Sequence, residues 1–162
     1  MMEITIMGRR GRVKKFLLFL LIFTLLISSG LAFAEENENI ITISLAGDVM
    51  MDGSVRQQIS KYGYDYPWEK VKDYFKESDL AIVNLETSIT TRGKKWPNKQ
   101  FNFRSNPKNL DSMKVAGVDV VSLANNHVLD YSEQGLIDTI DHLKKKEIPF
   151  AGGGKNKKEA LQ

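Results

Sequence analysis

Oxygen- and nitrogen-bearing side chains follow three predicted buried strands, at the point where each strand ends. Asp48 follows the first strand, Glu86 the second, and Asn126 and His127 the third. Because ligands of open α/β sheets bind outside the carboxyl ends of the strands, we expect these four side chains to converge. Two carboxylates, an amide oxygen and an imidazole suit a divalent cation of the Mn, Fe, Zn or Mg type. A metal held there could activate water and hold a phosphoryl or related group.

Each of these patterns also has an ordinary structural explanation. The Gly-Asp pair at 47–48 is typical of a turn, and Asn-Leu-Glu at 84–86 alone carries little information. Asn-Asn-His at 125–127 is more specific, because paired amides are poor strand formers, although a hydrogen-bonded loop histidine is the alternative. The three patterns in this order are more specific than any one of them.

Short apolar runs rich in β-branched residues predict the strands that deliver these side chains. Three strong runs and a weaker fourth are Ile40–Ala46, Asp79–Val83, Val118–Ala124 and Ile148–Ala151. Helices are predicted at Ser54–Tyr62, Pro67–Lys76, Pro107–Ala116 and Ser132–Lys146. The expected caps are Ser54, Asn106, Ser132 and Gly117. Strands that alternate with helices indicate a largely parallel sheet in an α/β protein.

A basic and aromatic segment, Thr90–Ser105, interrupts this alternation. We predict a long loop with a short extended piece near Phe101. Its basic and aromatic residues are Arg92, Lys94, Lys95, Trp96, Lys99, Phe101, Phe103 and Arg104. Such residues suit carboxylate recognition, so the loop around Trp96 could bind an anionic polymer, and a solvated loop is the alternative.

The first 34 residues have the pattern of a secretory signal. Basic residues precede the apolar run Phe16–Ile27, and Ala-Phe-Ala at 32–34 supplies a cleavage site. Cleavage after Ala34 would leave a linker at 35–39 and a domain at 40–162. An uncleaved membrane anchor is the alternative, because an apolar stretch of about 20 residues spans a bilayer. Both outcomes predict a cell-envelope protein on the extracytoplasmic face, either secreted or membrane-anchored.

Composition excludes several classes of protein. The formal net charge is +3, but five basic residues and one acidic residue lie within 1–34, so the rest is nearly neutral. The domain therefore offers no electrostatic basis for binding nucleic acid. The chain has no cysteine, which excludes disulfides and thiolate metal sites. Residues 155–162 read as a helix beginning, and four strands are fewer than the usual ~5–6, so we expect a domain truncated at its C-terminus.

Four segments together resemble the CapA-type capsule-synthesis (poly-γ-glutamate) family. They are Ser44–Met50, Val83–Glu86, Ser122–Tyr131 and Ala151–Gly154. The resemblance covers about 40–162. It implies the fold of calcineurin-like metallophosphoesterases, so this α/β chain would be the N-terminal part of an α/β/β/α sandwich, preceded by a signal peptide or membrane anchor helix.

The resemblance also implies a role for each site residue. Asp48 would be a metal ligand after the first strand, Glu86 would take the place of a bridging carboxylate, and Asn126 would bind the second metal. His127 would donate a proton or stabilise the transition state. Asp130 would orient His127.

Three positions depart from the phosphoesterase or family pattern. Met50 stands where the phosphoesterases have a histidine, and a thioether cannot replace imidazole for a hard or borderline metal. The chain has two histidines, and the second, His142, is expected to be an ordinary helix residue. The further histidine ligands of the phosphoesterases are therefore missing. Ser132 replaces a usual glycine.

The resemblance implies a protein of capsule or poly-γ-glutamate biosynthesis or export, with a metallophosphoesterase-like site and a metal-dependent hydrolase activity. Its partners would be the anionic capsule polymer or its precursor, membrane polymer-synthase subunits, and the membrane through the N-terminal segment. Two alternatives stay open. One is a non-catalytic accessory subunit of the synthase, and the other is an inactive truncated fragment.

Overall fold

The computed structural model describes residues 8–30 and 40–161, which belong to two separate units. The first unit is one helix, α1 (Gly8–Gly30), which contains the predicted apolar run. Among the described residues, no helix combines the length and apolarity that crossing a membrane requires. The predicted cleavage site at 32–34 and the linker at 35–39 lie outside the described residues.

The second unit alternates strands and helices, as the sequence predicts. Its elements are β1 (Ile43–Asp48), α2 (Gly53–Tyr62), a 3-10 turn (Tyr66–Trp68), α3 (Lys72–Lys76), β2 (Leu80–Asn84), β3 (Ser88–Ile89), β4 (Arg104–Ser105), α4 (Asn109–Val115), β5 (Val120–Ser122), α5 (Ser132–Lys145), β6 (Phe150–Ala151) and α6 (Lys157–Ala160). The four predicted strands form one sheet in the order β1-β2-β5-β6, with every pair parallel. The α/β class is therefore confirmed.

A small second sheet was not predicted. It pairs β3 with β4 in parallel, so that Ser88 lies opposite Arg104 and Ile89 opposite Ser105. The extended piece of the long loop therefore lies at 104–105 rather than at Phe101. This pairing carries the loop back beside the end of β2, where the candidate site begins.

The two faces of the main sheet differ in burial. Ala81, Val83 and Val121 are buried in a core shared with residues of α2 to α5. Side chains alternate along a strand, so their neighbours share the opposite face. That face carries Ile43, Leu45, Leu80, Ile82 and Val120, all exposed or half-buried. Helices thus cover only one face of the sheet within the described residues.

The predicted helix at 67–76 is wrong in its first half. Val71 leaves the helical region at φ −121°, so a 3-10 turn precedes the short helix α3. The turn buries Trp68, whose Nε1 donates a hydrogen bond to Ser112 Oγ at 3.2 Å and whose ring meets Phe75 edge-on. Tyr74, on the short helix α3, is 71% exposed.

Three of the four predicted caps are wrong. The hydroxyl of Ser132 donates to Lys94 O at 2.8 Å, and the residue has φ +64°, so it does not cap α5. Asp52, rather than Ser54, caps α2 through a bond from Gly53 N. Asn106 Oδ1 accepts from Lys108 N in the turn before α4, but the N-cap of that helix is Lys108. Gly117, as predicted, follows α4 at φ +96°.

Candidate functional site

The carboxylates of Asp48 and Glu86 are joined by the amide of Asn84. Asn84 Nδ2 donates to Asp48 Oδ1 at 2.8 Å and to Glu86 Oε2 at 2.5 Å. Asn84 ends β2, and a register irregularity in β1 places Asp48 opposite it. Backbone bonds between Val49 and this strand end hold the two loops together. The structure therefore brings the first two predicted site residues to the same sheet edge.

His127 lies between two carboxylates. Its Nδ1 is 2.6 Å from Asp130 Oδ2, and its Nε2 is 3.7 Å from Glu86 Oε1. The ring of Phe103 packs on the imidazole with 4.5 Å between the centroids. An ionised carboxylate can only accept, so the short contact places a hydrogen on Nδ1. Nε2, the other ring nitrogen, faces Glu86.

Asp130 is a buried acceptor for donors from two other parts of the chain. Lys99 Nζ pairs with Oδ1, and Phe103 N donates to Oδ2 at 2.6 Å, beside the histidine contact. Lys99 also donates to Asn126 O at 2.5 Å. Sequence reasoning assigned Lys99 to a polymer-binding loop and missed this pairing, because the lysine lies 31 residues from its carboxylate.

A second buried carboxylate, Asp138 of α5, anchors the start of the same loop. Arg92 pairs with it, while Thr90 Oγ1 donates to it at 2.5 Å and Gln134 Nε2 at 2.8 Å. Burial by itself would raise the pKa of Asp138, but the bonds from Arg92, Thr90 and Gln134 hold it below its usual value. Contact with Asp138 in turn raises the pKa of Arg92.

We expect Asp138 to make the stability of the domain depend on pH in the acid range. Its folded pKa is depressed, so its contribution is complete above the unfolded pKa of about 3.9 and is lost as pH falls through the lower folded value. Asp138→Asn should cost about 1–2 kcal/mol at pH 6. In urea unfolding, that difference from wild type should shrink at pH 3. The exposed Asp141→Asn is the control, and a difference for Asp138→Asn that is constant with pH would contradict the assignment.

Asn126 occupies a different environment from Asp48 and Glu86. Its side chain is exposed, and within the described residues it makes no hydrogen bond to either carboxylate. It lines a pocket of about 270 Å³ together with Trp96, Lys99, Leu129 and Asp130. The neighbouring Asn125, which the sequence analysis left without a role, connects the strand ends instead. Its Nδ2 donates to Asn84 Oδ1 at 3.0 Å and to Leu85 O at 2.9 Å.

The donor set fits a cation held by two carboxylates rather than a closed metal cage. Within the described part of the chain, no three His, Asp or Glu side chains are grouped to hold a metal by themselves. The bonds from Asn84 use only one oxygen of each carboxylate, which leaves Asp48 Oδ2 and Glu86 Oε1 as possible ligands. Mg²⁺ is commonly bound by one or two carboxylates and keeps several waters. A structural zinc site needs four protein ligands.

Met50 and His142, the residues named for the departures from the phosphoesterase pattern, are both half-buried. Met50 is half-buried and lines an apolar pocket of about 300 Å³ that also includes Asp48. It supplies no nitrogen at the position where those enzymes have histidine. His142 is half-buried on α5.

Comparison with known proteins places this chain in a family. The family described as bacterial capsule synthesis protein PGA_cap matches residues 42–162. The capsule biosynthesis protein CapA of Bacillus anthracis is 34% identical over 128 residues, which cover 77% of this chain and 31% of that protein. The PGA biosynthesis protein CapA of Bacillus subtilis (strain 168) is 28% identical, with 73% and 31% covered.

A third relative has a similar name. It is a probable polyglutamine synthesis accessory protein of Mycobacterium tuberculosis, 27% identical over 73% of this chain and 40% of its own length. The chain thus spans about a third of the length of the curated relatives it matches. From the match over residues 42–162, the chain belongs to the bacterial capsule synthesis protein PGA_cap family.

Proposed function

We propose that this chain acts in the synthesis or export of a capsule polymer such as poly-γ-glutamate, through a metallophosphoesterase-like site that binds a divalent cation. One observation carries the proposal. Asp48 and Glu86 converge on one amide, with His127 beside them, and no Lys or Arg neutralises either carboxylate within the described residues. Two adjacent carboxylates without a cationic partner favour a bound cation.

Each residue of the site has a separate role in the proposed chemistry. A divalent cation, when bound, would polarise a phosphoryl or related oxygen and lower the pKa of a water. Asp48 and Glu86 bind and orient it with their remaining oxygens. His127 presents Nε2 to the leaving oxygen and holds the proton that this oxygen needs. Asp130 fixes the ring through Nδ1, and the ring of Phe103 shields one side of it from water.

The polymer would approach along the loop that carries Trp96. Arg92 and Lys99 are already paired with Asp138 and Asp130. Lys94 and Lys95 are exposed and form no ion pair within 40–161. These two lysines, beside the half-exposed Trp96, are therefore the cations of this loop best placed to meet an anionic polymer or its precursor.

Two further parts of the proposal concern the surroundings of the domain. The open apolar face of the sheet, with Leu45 at 76% exposure, suits coverage by a second sheet, as in an α/β/β/α sandwich. Helix α1, with its basic start and apolar run, would serve as a signal peptide and direct the protein to the cell envelope. Subunits of a membrane polymer synthase would then be its neighbours.

A non-catalytic accessory subunit is the second candidate function. Two observations favour it: Met50 replaces a histidine ligand, and the described residues hold no group of three His, Asp or Glu that could ligate a metal. In this case the domain would keep its fold and surface while the site performs no chemistry.

Thermal unfolding with Mn²⁺ and Mg²⁺ tests the cation site. Ligand at 100 times its dissociation constant stabilises a fold by about 2.7 kcal/mol, so the melting temperature of the full chain should rise by several degrees. Asp48→Asn and Glu86→Gln should each remove most of the rise, because each deletes a charged ligand. Asp65→Asn, an exposed carboxylate away from the site, should retain it. A wild-type chain unaffected by either cation would favour the accessory role.

A further inference from the structure

A chain of two side-chain amides runs through the candidate site. His127 N donates to Asn125 Oδ1 at 2.9 Å, and Asn125 Nδ2 donates to both Leu85 O and Asn84 Oδ1. Asn84 Nδ2 then donates to Asp48 Oδ1 and Glu86 Oε2. The amides thus connect the backbone of two strand ends to both carboxylates.

The backbone fixes which way each amide points. Oxygen and nitrogen of an Asn side chain are usually assigned from their partners. Here the N–H of His127 can only donate and the carbonyl of Leu85 can only accept, so Asn125 has one satisfactory orientation. The Nδ2 of Asn125 therefore donates to Asn84, so the Oδ1 of Asn84 must face Asn125. Both hydrogens of the Asn84 amide must then face the carboxylates.

This orientation has a consequence for the carboxylates. Asp48 and Glu86 would repel each other at this separation if nothing lay between them. The Asn84 amide donates one hydrogen to each, which offsets the repulsion without adding charge. It also restricts how each carboxylate can turn, while Asp48 Oδ2 and Glu86 Oε1 stay unused by it.

We propose that Asn84 and Asn125 are positioning residues of the cation site. Asn125 orients Asn84, and Asn84 holds the two carboxylates together before a cation arrives. The part about the cation rests on the proposed function, whereas the amide relay exists in the chain alone. Hydrogen-bonded groups behind metal ligands typically change metal affinity by about 10–100-fold when they are removed.

Two substitutions at position 84 distinguish a donor from a simple packing residue. Asn84→Ala removes the two bonds to the carboxylates and the oxygen that accepts from Asn125. Asn84→Asp keeps an acceptor for Asn125 but places a third carboxylate against the other two. Without metal, we expect both variants to melt below wild type and Asn84→Asp to melt below Asn84→Ala. With saturating Mn²⁺ the order should reverse, because the new carboxylate becomes an additional ligand. Calorimetric titration should show Mn²⁺ affinity about 10–100-fold weaker in Asn84→Ala.

Controls separate the relay from general damage to the fold. Far-UV circular dichroism checks that each variant folds, and the isosteric Asn98→Asp, on an exposed loop, should leave both melting and Mn²⁺ binding unchanged. Asn125→Asp supplies an independent test: its oxygen would face the carbonyl of Leu85, so it should also melt below wild type without metal.

The outcomes distinguish failure of the relay from failure of the cation site. Asn84→Asp at least as stable as Asn84→Ala in the absence of metal overturns the relay. A wild-type chain that does not respond to Mn²⁺ overturns the cation site, and the metal-free comparison still decides whether the amides position the carboxylates. Reversal of order on adding Mn²⁺ supports both.

Discussion

Replacing Lys99 by methionine is expected to lower the free energy of unfolding by about 3 kcal/mol. Asp130 is fully buried, and Lys99 is the only Lys or Arg within the described residues that pairs with it. Removing one partner of a buried pair leaves an uncompensated charge, which typically costs about 3–5 kcal/mol. The lower end applies because the Lys99 side chain is 26% exposed and Phe103 N still donates to the carboxylate.

Urea unfolding of matched variants measures this effect. Lys95→Met removes an exposed lysine of the same loop and should change stability by no more than about 0.5 kcal/mol. Lys99→Met combined with Asp130→Asn removes both charges, so its loss should be smaller than the sum of the two single losses. If Lys99→Met were as stable as Lys95→Met, the Lys99–Asp130 pair would not contribute to stability.

The sequence predicted the parts of the site that depend on strand ends. Asp48, Glu86 and His127 each follow a β-branched run that was predicted as a strand, and a parallel sheet aligns such ends at one edge. Local patterns were enough to locate the strands, although the first of them, predicted to be buried, is largely exposed. The parallel direction of the four main strands follows from the same alternation of strands and helices.

The parts that depend on pairing across the chain could not be predicted in the same way. Lys99 reads as one more cation of a basic loop, and only the fold places it on Asp130. Asn125 and Asn126 are identical in type, so the sequence could not say which of them faces Asn84. The structure gives that position to Asn125 and places Asn126, the predicted ligand, at the pocket with Trp96. The two-residue strands β3 and β4 were missed because their pairing is non-local and each is too short for a periodic pattern.

If the proposed site hydrolyses a chromogenic phosphate ester with Mn²⁺, Asp130→Asn is expected to reduce its kcat by about 10²–10³-fold. All three neighbours of the carboxylate donate to it, so an amide in its place must turn its NH₂ group towards a donor. The partly exposed side chain of Lys99 can turn away, whereas the backbone N–H of Phe103 cannot, so the amide oxygen should stay on Phe103 and His127. The ring would keep its place, and its Nδ1 hydrogen would lose its charged acceptor.

A double-mutant cycle distinguishes this role from a structural one. If Asp130 acts through His127, the Asp130→Asn change should have little further effect in a His127→Ala background, although each change alone is large. KM should change much less than kcat, because neither side chain is among the cation ligands. Asp141→Asn, an exposed carboxylate of α5, should keep full activity. Additive losses in the double variant would show that Asp130 acts on the reaction independently of His127. The role of holding the proton would then belong to another group than the imidazole.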